Sequence, residues 1–93
     1  MQSTSWSTME QVRFSTERIL SDSWDSYPIL QFSDVPEVKV TVLDRPDEPS
    51  LGAGEIAQGP TAAAIGNAVY HALGLRVRDL PMTSARIADL AGA

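Results

Sequence analysis

One carboxylate stands out for the company it keeps. Glu55 ends the run Leu51-Gly52-Ala53-Gly54-Glu55, and Pro60 follows five residues later at the head of Thr61-Ala62-Ala63-Ala64-Ile65. Glycine tolerates backbone conformations that other residues avoid and lets a loop approach a ligand closely. Proline suits the first helical position, where no intrahelical N–H partner is needed. The spacing therefore predicts a carboxylate on a shaped loop just ahead of a helix N-terminus. A carboxylate so placed can serve as a general base when the proton it takes lies within hydrogen-bond reach, and a helix start favours anionic ligands. By itself a Gly-x-Gly-Glu run is also common in surface turns.

The remaining candidates are weaker. His71 could shuttle a proton, but it falls opposite the apolar stripe of its helix, the ordinary place for a solvated polar residue. Trp6, Trp24, Phe14 and Phe32 offer stacking surfaces that are more often used in packing. Asp44, Asp47 and Glu48 lie in a proline-rich turn without the spacing of a metal loop, which reads as a solvated connection. Arg76 and Arg78 share one side of a short segment. They could grip a phosphate or carboxylate, although charges on an exposed edge more simply block strand pairing. No Ser-His-Asp arrangement with a nucleophile elbow and no Walker loop is present. Gly52-Ala53-Gly54 lacks the third glycine and the preceding strand of a dinucleotide site.

Few elements are available to position these groups. Residues 1–11 are polar and Ser/Thr-rich; Trp6 and Met9 give only a faint helical spacing. Val12 and Phe14 alternate with polar neighbours, Ser15-Thr16-Glu17-Arg18 reads as a turn, and Ile19-Leu20 would complete a hairpin. Val38-Lys39-Val40-Thr41-Val42-Leu43 reads as the clearest strand, because β-branched side chains on one face suit a pleated surface. Asp44-Arg45-Pro46-Asp47-Glu48-Pro49 ends it. A helix is expected from Pro60 to Leu73, with Ala62, Ile65, Val69, Ala72 and Leu73 on its apolar face and Gly74 as its stop. Gly66 inside that helix costs about 1 kcal/mol relative to Ala, tolerable if another backbone packs against it. Leu75 to Arg78 alternates like a short edge strand. Thr83 can cap a last helix with Ile87 and Leu90 facing inward. The expected fold class is α+β: a small mixed strand-and-helix unit, hairpin and strand followed by the Gly-x-Gly-Glu loop and helix.

Composition narrows the function further. The chain has 93 residues, a net charge of −5, seven Lys and Arg residues, one His and no Cys. So few residues make one small domain with a modest core. The lack of cysteine rules out disulfides and thiolate metal sites within the chain. The scattered basic residues argue against a nucleic-acid partner. No apolar run approaches the roughly 20 residues of a membrane helix, and the start lacks a signal-peptide pattern. The default expectation is a cytoplasmic protein without a membrane partner, the periplasm being left open. With few strands and little core, the chain reads as a piece of a larger body.

The motifs as a set resemble a known family. Leu51-Gly52-Ala53-Gly54-Glu55, Gln58-Gly59-Pro60-Thr61-Ala62-Ala63-Ala64-Ile65, Asn67-Ala68-Val69 and Leu75-Arg76-Val77-Arg78-Asp79-Leu80-Pro81 look like the C-terminal end of the molybdopterin-binding large subunit of the xanthine dehydrogenase/aldehyde oxidase family. The branch with isoquinoline 1-oxidoreductase, nicotinate dehydrogenase and aldehyde dehydrogenase subunits is the most similar in flavour. Ser5-Trp6, Glu10-Gln11-Val12-Arg13-Phe14, Tyr27-Pro28-Ile29-Leu30, Val35-Pro36-Glu37-Val38 and Thr83-Ser84-Ala85-Arg86-Ile87 fit the flanking segments. The resemblance implies that residues 1–93 are the C-terminal part of a molybdopterin-binding domain. It implies hydroxylation of an aldehyde or N-heterocyclic carbon with water as oxygen source. Glu55 would accept a proton from a molybdenum-bound hydroxyl, and Gly52, Ala53 and Gly54 would lie at the molybdenum cofactor. No direct metal ligand is implied in this chain. The implied partners are the remainder of the molybdenum-binding subunit and an iron–sulfur subunit or domain, with self-association of the chain as a further expectation. Because the family subunit is many times longer, the chain reads as a truncated fragment or a split-gene product, expected to be inactive and cofactor-free alone. The competing reading is a noncatalytic interaction module whose glycine loop is only a turn.

Overall fold

The computed structural model describes residues 1–92. Regular structure is confined to α1 (Gln2–Thr8), a 3-10 turn (Phe32–Asp34), α2 (Gln58–Leu73) and α3 (Ser84–Ala91). Helix α2 is built by its sequence: an alanine-rich stretch with high helical propensity that begins one turn after the glycine loop. Pro60 is the third residue of the helix rather than the first. It is tolerated there because the first-turn N–H groups have no intrahelical acceptor. Gly74 ends the helix with φ 71°, its N–H donating to the Tyr70 carbonyl at 2.7 Å, a left-handed closure that suits glycine. The Thr83 hydroxyl accepts from the Arg86 N–H at 3.2 Å and caps α3.

The three buried residues of α1 are serines: Ser3, Ser5 and Ser7. This helix packs against α2, whose Thr61, Ala62, Ile65, Gly66 and Val69 are half-buried at helical spacing. Met82 closes the corner. It is 6% exposed, its N–H donates to the Ser7 carbonyl at 2.7 Å, and its sulfur lies 3.7 Å from where a Cβ on Gly66 would stand. A methionine side chain, not a second backbone, thus faces Gly66. Pro81 is buried beside it, and its carbonyl accepts from Arg86 Nη1 at 2.8 Å.

The expected α+β architecture does not form; the chain is helices joined by irregular segments. The hairpin is reduced to a single antiparallel bridge between Phe14 and Ile19, where Ser15 N–H donates to the Arg18 carbonyl and Leu20 N–H to the Arg13 carbonyl, each at 2.8 Å. Residues 38–43 make no ladder. A strand exists only through hydrogen bonds to a neighbour, and among the described residues no backbone–backbone bond involves residues 35–44. Leu75 to Arg78 is likewise irregular.

Every residue from 31 to 60 is exposed. The radius of gyration is 16.6 Å, against about 12 Å for a compact domain of this length. The accessible surface is 7813 Å², where a compact protein of 10.0 kDa would expose about 5,200 Å².

Candidate functional site

Glu55 occupies a bend that runs directly into α2. Its carbonyl accepts the Gln58 N–H at 3.3 Å, which tightens the turn at the helix entrance. Its carboxylate forms no hydrogen bond or ion pair among the described residues and stands exposed. With Gly52, Gly54 and Ile56 it lines a shallow depression; Ala53 is exposed beside it. Neither glycine has positive φ, and a Cβ at either would meet nothing within 4 Å. The free chain therefore uses neither the unusual backbone freedom nor the smallness of these glycines. Their missing side chains leave an open approach to Glu55 from outside.

The other candidates are not brought to it. His71 is exposed on α2. Arg76 folds back over α2, with its guanidinium 3.5 Å from the Tyr70 ring centroid and Nη1 donating to Asn67 Oδ1 at 3.2 Å. A cation over an aromatic face is favourable, and the stacking commits Arg76 to the preceding helix α2 rather than to an anion clamp with Arg78. Glu48 pairs with Arg45 at 2.6 Å. Among the described residues no group of three or more His, Cys, Asp or Glu side chains could hold a metal ion.

A second site gathers the aromatics. Trp6, Trp24, Tyr27, Ile29, Leu30 and Phe32 line a cleft of about 570 Å³ beside α1; Phe14 is not among its walls. The Leu30 N–H donates to Ser5 Oγ at 2.9 Å, and Tyr27 Oη donates to Glu10 Oε2 at 2.8 Å. The hydrogen bond to Glu10, helped by partial desolvation and the adjacent negative charge, holds the Tyr27 phenol above its ordinary pKa. The pairing of Tyr27 with Glu10 spans seventeen residues, and no periodicity points to it. The sequence signal was composition alone: most of the chain's aromatic side chains fall within residues 6–32.

Known proteins resemble this chain over most of its length. A nicotinate dehydrogenase subunit of Pseudomonas putida is 46% identical over 87 residues, 94% of this chain and 7% of that protein. The aldehyde oxidoreductase molybdenum-binding subunit PaoC of Escherichia coli is 40% identical over 68% of this chain and 9% of its own length. A membrane-bound aldehyde dehydrogenase of Gluconacetobacter polyoxogenes, named for pyrroloquinoline quinone, is 33% identical over 68% of this chain and 8% of its own. The chain thus spans less than a tenth of the length of these curated relatives. They are oxidoreductases of aldehyde or N-heterocyclic substrates, two of them named as subunits. No family model matches the chain, and no solved structure matches it. Among the described residues, no helix is long and apolar enough to cross a membrane.

Proposed function

We propose that this chain is the C-terminal part of the molybdopterin-binding subunit of a hydroxylating oxidoreductase acting on an aldehyde or N-heterocycle, and that Glu55 is its proton acceptor. The observation that carries this reading is the state of Glu55: a carboxylate with no partner among the described residues, on an open loop flanked by side-chain-free positions, at the entrance to the longest helix. A general base must keep its oxygens free for the proton it takes. The chain's similarity to a molybdenum-binding subunit supports the cofactor class.

The residues present fit a contributed base and not a complete cofactor site. The depression at Glu55 holds one ionisable group and two glycines, too few polar groups to grip a pterin. When bound by the assembled subunit, the molybdenum cofactor supplies the two-electron acceptor for oxidation of the substrate carbon. This chain contributes the carboxylate, the turn that aims it and the room at Gly52 and Gly54 for a close approach. Docking of the remaining polypeptide would shield Glu55 from water and strengthen its electrostatic influence. The remainder of the subunit, and an iron–sulfur partner to carry electrons away, complete the proposed assembly.

The test is Glu55→Gln in the enzyme assembled with the remainder of its subunit. Turnover should fall by about two to four orders of magnitude, the usual worth of general-base catalysis, with molybdenum content unchanged. Retained turnover removes Glu55 from the chemistry. Quinone without molybdenum in the active wild-type enzyme refutes the cofactor assignment.

A further inference from the structure

The cleft beside α1 is an apolar feature that the proposed chemistry leaves unused. Of the side chains lining it, Glu10 is the one carboxylate, and its Oε2 already accepts from Tyr27. Ser5 Oγ is likewise engaged by Leu30. Gln2 is a further polar side chain in the lining, and the rest of what remains to be covered is mainly apolar, Trp6, Trp24, Ile29, Phe32 and Val35 among it. Phe32 is 99% and Trp24 80% exposed. A small molecule resting in the cleft would leave both rings largely in water, whereas a protein surface covers them together. Large aromatic side chains of this kind are the usual anchors of protein interfaces.

We infer that this cleft seats an apolar segment of the remaining large-subunit polypeptide. The inference rests on the proposed function and names the surface through which that assembly is held. Three observations favour this occupant over a second copy of the chain. The chain exposes about 2,600 Å² more than a compact protein of its mass, well beyond the roughly 800 Å² per partner of a standard interface. The exposed run is unbroken in sequence, beginning at Gln31 next to the cleft residue Phe32 and continuing to Pro60 past Glu55. The relatives, of which this chain spans 7–9%, supply polypeptide on that scale.

Trp6 and Trp24 are the chain's only tryptophans, and both line the cleft, so the full chain labelled with 5-fluorotryptophan reports occupancy directly by fluorine NMR. Titration with the unlabelled remaining subunit polypeptide should shift both resonances and abolish the solvent-isotope sensitivity of Trp24. Trp24→Ser, a change at an exposed site whose fold is checked by circular dichroism, should weaken association at least tenfold. Association with neither resonance moving overturns the inference and leaves the proposed function standing. Failure to associate overturns both. Resonance shifts that depend on the chain's own concentration, with doubling of mass by sedimentation, assign the cleft to a second copy and overturn it as well.

Discussion

Two regions of this chain obey different rules. The corner made by α1, α2 and Met82 uses two local devices, the left-handed stop at Gly74 and the hydroxyl cap at Thr83, and one long-range bond from the Met82 N–H to the Ser7 carbonyl. The run from Gln31 to Pro60 has alternating valines, a proline-rich turn and the Glu55 loop, yet every residue in it is exposed. The difference shows which kinds of code act alone. Helices and caps satisfy their backbone groups from neighbours in sequence. An extended segment needs another strand or surface to satisfy its own. The candidate base lies in the second kind of region, where the chain's own residues leave it exposed.

Amide hydrogen exchange gives the largest contrast. In the free chain, amides in the interior of α2 and that of Met82 should be protected. Those of residues 35–44, which make no backbone–backbone hydrogen bond among the described residues, should exchange at nearly the rate of an unfolded peptide. Local opening energies run from near zero in such segments to the full unfolding energy in packed ones. Uniform protection across residues 31–60 would erase the distinction between the regions. Protection appearing there only on assembly would sharpen it.

The next effect concerns the corner itself. Met82→Ala removes its one large buried apolar side chain and should cost about 2 to 3 kcal/mol, at the low end for methionine truncation because the surrounding core is small. Urea unfolding followed by far-ultraviolet circular dichroism measures it. An unchanged midpoint would mean that Met82 does not hold α1 to α2.

The same contrast governs what could be read from sequence. The C-terminal end of α2 and the N-terminal end of α3 were legible because caps are local: Gly74 and Thr83 stand where their chemistry requires, whereas α2 starts two residues before the expected Pro60. The Glu55 loop and its place before a helix were legible for the same reason. Helix α1 was nearly invisible, since its buried residues are Ser3, Ser5 and Ser7 and a search for apolar stripes passes over serine. The valines at 38, 40 and 42 carry a genuine strand pattern, but pattern supplies only one side of a ladder. Neither the Tyr27–Glu10 bond nor the aromatic cleft could be seen, because both depend on how distant segments meet.

Gly66 offers the smallest effect and the cleanest sign. Glycine within a helix is disfavoured by about 1 kcal/mol relative to alanine, and it is retained where a neighbour leaves no room. Here the nearest obstacle to a Cβ is the Met82 sulfur at 3.7 Å, an ordinary van der Waals separation at the end of a flexible side chain. Gly66→Ala should therefore stabilise the free chain by about 0.5 to 1 kcal/mol, raising its urea midpoint without changing the slope. Destabilisation of the free chain would mean that α1 and α2 approach more closely than this corner implies. If the free chain gains stability while the assembled enzyme loses it, the tight contact at Gly66 belongs to the assembly, and the corner, like the Glu55 loop, is finished by another polypeptide.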